Sequence, residues 1–119
     1  MGILYTKSIK LPPSAEDGMR ICIMRKPEQG AKYDKWMPEL SPEQTLRDKV
    51  KQGMNWEGFK PEFEKYLLTQ QTPLDFVGNT AYKQNVTLLC IEDTPDRCHR
   101  SLVADAIKRK YSDLKIVVN

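Results

Sequence analysis

Apolar positions along this chain gather into short solid runs and spaced stripes, separated by breaks rich in proline and glycine. Ile3-Leu4-Tyr5-Thr6 is a β-branched and aromatic run ended by polar residues and predicts a first strand. Leu11 to Gly18 cannot continue a ladder through Pro12 and Pro13 and reads as a loop. Arg20-Ile21-Cys22-Ile23-Met24 resumes as a strand that is apolar on both faces and hence central. From Lys26 to Leu40 no period is sustained, so a long connection is expected, functional or mobile, with Trp36 and Met37 pinning it to the core. It is a candidate lid, and Tyr33 or Trp36 is a candidate stacking surface for a base.

Ser41-Pro42-Glu43-Gln44 has the residues of a helix start, with Ser41 as N-cap, Pro42 at the first helical position and Gln44 reaching back. That helix should run to about Gln52 and stop at Gly53. Trp56, Phe59, Phe63, Tyr66 and Leu67 then form one stripe at helical spacing, in conflict with Pro61, so either a kink or a start near Lys60 is expected. Thr72 to Gln84 suits a short helix carrying Leu74, Val77 and Ala81 and broken at Gly78.

Val86-Thr87-Leu88-Leu89-Cys90-Ile91 is nearly continuous in apolar residues, as a parallel strand covered on both faces would be, and should sit at the centre of a sheet. A helix from about Pro95 to Tyr111 should bury Leu102, Val103, Ala106, Ile107 and Tyr111, and Lys115 to Val118 closes a βαβ unit with a right-handed crossover. The expected fold is therefore α/β: one compact domain over residues 1–119, with a mostly parallel sheet of about four strands and helices packed on it. The pattern leaves the strand order open.

Composition narrows the class. A length of 119 residues suits one core, and 39% hydrophobic with 29% charged residues is an ordinary globule. The net charge of +3 comes from interleaved signs, which disfavours a nucleic-acid stripe. Arg97, Arg100, Lys108, Arg109 and Lys110 cluster among Asp93, Asp96 and Asp105, a pattern better suited to a small anion than to a long polyanion. Three cysteines, an odd number, without a secretory signal argue against a disulfide scaffold and for a reducing cytoplasm, and no segment approaches bilayer-spanning length. Met1 to Thr6 matches a loose N-myristoylation pattern, but the strand reading of Ile3 to Thr6 is the stronger one.

The candidate chemistry lies at Cys90 to Arg100, a strand-to-helix turn where the amides of a helix N-terminus favour anions. With Thr94 as N-cap and Pro95 first in the helix, Cys98 and His99 would sit about one turn in and share a pocket. In one reading Arg100 clamps a phosphate or carboxylate while Glu92, His99 or a cysteine transfers a proton or attacks. In a second, ranked lower for its unfamiliar spacing, Cys90, Cys98 and His99, with Glu92, hold zinc. In a third, Cys90 is a small buried residue, His99 a core histidine bonded to backbone and Arg100 a partner of Glu92 or Asp96. Protein-tyrosine phosphatases also place a cysteine after a strand and an arginine at a helix start, but here Arg97 comes one residue too late and the loop lacks glycine.

The run Leu88-Leu89-Cys90-x-Glu92-x-x-Pro95-x-x-Cys98-His99-Arg100-Ser101-x-x-Ala104 resembles the signature of the domain of unknown function 488 (DUF488) family. Pro13-Ser14-x-Glu16-Asp17-Gly18-x-Arg20, with Trp36, Pro38, Leu40 and Ser41-Pro42, is similar to its YeaO-like branch, whose members usually replace the cysteine-histidine segment kept here. The resemblance spans nearly the whole chain. It implies a compact α/β fold of bacteria and archaea with no established activity, and a site of Cys90, Glu92, Cys98, His99 and Arg100 approached by Asp17 and Arg20 from the first loop. The function expected is an enzyme acting on a small phosphorylated or nucleotide-like substrate, the alternative a non-catalytic module that binds a small ligand or a metal. The sequence names neither a cofactor nor an oligomeric state.

Overall fold

The computed structural model describes residues 1–92 and 97–119. Five strands form one parallel sheet: β1 (Ile3–Ser8), β2 (Met19–Cys22), β3 (Lys35–Trp36), β4 (Val86–Cys90) and β5 (Lys115–Val117), in the order β3-β2-β4-β1-β5. The helices are α1 (Gln44–Lys51), α2 (Trp56–Leu67), α3 (Gln71–Ala81) and α4 (His99–Lys110). The α/β class and parallel sheet follow the expectation. β4 is central and buried along its whole length, and the C-terminal βαβ unit encloses β1 between its two strands.

β3 went unpredicted because its two residues carry no pattern of their own and are extended only through pairing with Ile21 and Cys22. It is the edge that ties down the connection after β2, where Asp34 N–H donates to Arg20 C=O, Arg20 N–H donates to the Asp34 carboxylate and Met37 N–H donates to Cys22 C=O. Met37 is buried as expected, whereas Trp36 is 45% exposed and anchors through its indole N–H to Met24 C=O at 2.7 Å.

Helix starts differ from the sequence reading. Ser41 is extended and its hydroxyl donates to Pro38 C=O, closing a 3₁₀ turn, so α1 begins at Gln44 with Glu43 as N-cap. Gln44 donates to Asp48 one turn on instead of reaching back. α2 is continuous through Pro61: Asn55 caps it by accepting from Gly58 N–H, and the carbonyl that Pro61 leaves without a donor, on Glu57, belongs to an exposed residue. α3 also runs on through Gly78, where a Cβ would stand 2.3 Å from the Tyr111 ring, so glycine is there for close helix packing and not as a break. α4 starts at His99 with Cys98 as N-cap, three to four residues after the expected start; Thr94 and Pro95, expected to open it, lie outside the described residues.

The buried hydrophobic side chains of α1 to α4 form one cluster with Leu4, Ile21, Ile23, Val86 and Leu88. Register places Leu4 beside Val86 and Ile21 beside Leu88, so by alternation these side chains share one face with Cys90. The connections leaving β2 and β4 diverge, outward to β3 and across β1 to β5. The crevice between their carboxyl ends is thus a topological switch point, where α/β sheets bind ligands. Among the described residues no helix is long and apolar enough to cross a membrane.

Candidate functional site

A cavity of about 470 Å³ opens at that switch point. β2 delivers Met24, Arg25 and Lys26 to it, β4 delivers Cys90, Ile91 and Glu92, and α4 delivers Cys98 and His99 just after Arg97. Gly53, at φ +109°, turns the chain between α1 and α2, so the end of α1 (Arg47, Val50, Lys51) and the start of α2 (Asn55, Trp56, Phe59) form the opposite wall. Five cationic residues, Arg25, Lys26, Arg47, Lys51 and Arg97, face one carboxylate, Glu92, among the described residues of the lining. Such a bias in a low-dielectric cleft focuses positive potential and attracts anions. Trp56, Phe59, Met54 and Val50 add an apolar side large enough for a planar ring.

At the base stand Cys90 and Cys98, 3% and 1% exposed. His99 Nε2 lies 2.7 Å from Ile23 C=O. A carbonyl only accepts, so Nε2 carries the proton and Nδ1 presents its lone pair to Cys90 Sγ, 3.5 Å away. Phe63 packs edge-on against the imidazole and holds its plane. The Cys98 S–H donates to Cys90, and this bond, with the amides of Glu92 and Ile91 and the charge of Arg100, draws the Cys90 thiol below its ordinary value despite burial. The same bond, together with burial, pushes Cys98 up to about 12. Of the two sulfurs, Cys90 is therefore the better thiolate and Cys98 the donor that supports it.

The structure brings Cys90, Glu92, Cys98 and His99 to one cavity and places Arg100 behind it. Arg100 is fully buried and spends its donors on Glu92 C=O (2.9 Å), the Asn119 main-chain oxygen (3.2 and 3.1 Å) and Cys98 Sγ (3.3 Å). It is a strut that ties Glu92, just past β4, to the start of α4 and to Asn119, and Arg25, Arg47 and Arg97 stand where an anion would be met. Tyr33 and Trp36 do not line the cavity, where Trp56 supplies the indole instead. Of the connection from Lys26 to Leu40, Lys26 is the residue that reaches it.

Asp17 and Arg20 lie elsewhere. Arg20 and Thr87 are register partners on the sheet face opposite Cys90, and the Thr87 hydroxyl donates to Asp17 C=O. The Asp17 carboxylate accepts from Ser14 N–H, Lys7, Arg20 and the Ser14 hydroxyl. Burial raises its pKa, but these donors, the Ser14 amide foremost, outweigh burial and hold it below 3.8. Asp17→Asn is therefore expected to lower stability by about 1.5–3 kcal/mol at pH 7. A depressed native pKa contributes stability above the unfolded value that is lost as pH falls through the native one, so the gap to wild type should close below pH 3.8. Urea midpoints across that range check this, and a gap that persists into acid would remove the charge from the explanation.

The cations contributed by α1 and the β2 end escaped the sequence reading, which among the cavity's cations singled out only Arg97, and Trp56 was read only as part of the buried stripe of α2. They are scattered between residues 25 and 97, and the one local hint is Arg47 and Lys51 one turn apart on α1. Cys90, Cys98 and His99 are also the residues placed to hold a metal, their ligand atoms lying within 4.8 Å of one another.

A family model described as the active DUF488-N3 subclade, DUF488-N3a, matches residues 4–111. No curated protein and no solved structure matches the chain.

Proposed function

We propose, from the premise that this chain belongs to the DUF488 family, that it is an enzyme of the reducing cytoplasm that attacks a small phosphorylated or nucleotide-like substrate with Cys90. The observation that carries this reading is the Cys90-His99 pair at the base of a cationic cavity, with the second imidazole nitrogen fixed on Ile23 C=O. Nucleophile, base and a third group that orients the base are the parts of an activated thiol. In this scheme His99 Nδ1 takes the thiol proton, and Cys90 Sγ bonds to an electrophilic carbon or phosphorus of the substrate. The imidazolium returns the proton to the leaving group, and a water deprotonated by His99 then breaks the bond to sulfur. The cavity's arginines and lysines hold the anionic group, Trp56 and Phe59 take a planar ring, and Glu92 is the carboxylate at hand for a second proton transfer. Asp17 and Arg20 are assigned to the scaffold of the other sheet face.

Two small alkylating agents test this reading. A free thiolate repels iodoacetate and reacts faster with neutral iodoacetamide, whereas the cavity's cations should reverse that order at Cys90. The native protein should be labelled by iodoacetate at Cys90, with Cys22 and Cys98 spared, and the preference should shrink as salt rises. Slow, equal labelling of all three thiols, appearing only on unfolding, would sink the proposal.

A further inference from the structure

We propose that Cys90 Sγ, Cys98 Sγ and His99 Nδ1 form a site for zinc or a similar thiophilic divalent cation, whose binding occupies Cys90 and holds the protein inactive. Three soft donors converge within 4.8 Å. Zinc bonds of about 2.3 Å to sulfur and about 2.0–2.1 Å to nitrogen place tetrahedral ligands about 3.5 Å apart, and the Cys90 Sγ to His99 Nδ1 distance is 3.5 Å. The surroundings are those a metal ligand needs. His99 donates its other ring N–H to a backbone carbonyl, which fixes the tautomer that presents Nδ1, and Arg100 Nη1 hydrogen-bonds Cys98 Sγ at 3.3 Å, as it would a bound thiolate.

Charge decides the metal class. The cations around the cavity oppose a bare divalent ion, and oxygen-preferring magnesium or calcium finds one carboxylate, Glu92, among the described residues of the lining. Zinc instead displaces the two thiol protons to solvent, with no change of oxidation state, and the resulting neutral centre no longer meets that opposition. The cavity's cations favour an anion as the fourth ligand. The inhibitory effect rests on the nucleophile reading above, while the metal site itself does not.

Cobalt(II) and zinc titrations of chelator-treated protein test the inference. Expected are one equivalent of cobalt with thiolate charge-transfer bands, displaced by zinc and indifferent to magnesium. Affinity should fall at least about tenfold in Cys98→Ala and in His99→Gln, with circular dichroism unchanged, and stay unaltered in Cys22→Ala, whose side chain lies on the other face. Zinc should also slow iodoacetate labelling of Cys90 in proportion to occupancy. Absence of a stoichiometric cobalt spectrum in wild type, or the same affinity in both ligand variants, overturns the site. Stoichiometric metal in a protein whose chelated form has no reactive thiol supports the site and overturns the nucleophile, so the two failures are separable.

Discussion

Arg100→Met is expected to destabilise the protein by about 3–5 kcal/mol, more than any surface substitution, although the side chain touches no solvent and, among the described residues, meets no side-chain carboxylate. Its guanidinium joins three segments that sequence keeps apart: the loop after β4 through Glu92 C=O, the N-cap of α4 through Cys98 Sγ, and the tail through Asn119. The tail is held from the other side by the Thr6 hydroxyl, itself buried. Methionine fills comparable volume but leaves the carbonyl acceptors without donors, at about 1–3 kcal/mol each. Opposing this is the relief of burying one charge fewer, which in some proteins is enough to make such a replacement neutral. Here every bonded nitrogen has a well-placed acceptor, so the loss should dominate. Chemical denaturation measures it, and Arg100→Lys should recover only part, because an ammonium cannot span acceptors served by a planar fork. A methionine variant within about 0.5 kcal/mol of wild type would show that desolvation cancels the bonds.

Cys90→Ser should lower turnover of the anionic substrate by about three orders of magnitude or more, since a hydroxyl held by the same imidazole is far less ionised than a thiol and oxyanion and binding terms alone remain. His99→Gln should lower it by about two to four orders, the usual span of general acid-base assistance. Neither substitution removes a cavity cation, so the loss should fall on kcat and leave KM nearly unchanged. Screening nucleotides and phosphorylated metabolites by product mass, then comparing the variants on the compound turned over, checks this. A Cys90→Ser protein as active as wild type would remove the cysteine from the chemistry, whatever its reactivity.

The strands from Ile3, Arg20, Val86 and Lys115, the apolar stripe of α2 and the parallel α/β class were legible because apolar runs and helical spacing act locally, where the chain's own periodicity dictates what can be buried. The Cys90, Cys98 and His99 constellation was legible for a related reason: a strand end and the helix start that follows it are close in any βαβ unit. The resemblance to the DUF488 family, carried by the same residues, agrees with the family model matched. Helix ends were less so. Ser41 and Pro42 have the residue types of a cap, but the serine hydroxyl found Pro38 C=O first, and Gly78 looked like a break until Tyr111 came to lie on it.

By itself, then, the sequence determined the fold class, the central strand and the sulfur-imidazole cluster, all properties of neighbouring residues. The tertiary structure alone decided which face each side chain serves. Register between β2 and β4 sets Arg20 and Asp17 on one side of the sheet and Cys90 on the other, and two arginines of similar prospect became a strut and a scaffold ion pair. It also decided the sign of the cavity, because Arg25, Arg47 and Arg97 meet only when β2, α1 and the start of α4 converge on one crevice. The reason is physical: periodicity specifies what an element buries, but an electrostatic field depends on distances between elements, and long-range pairing alone sets those.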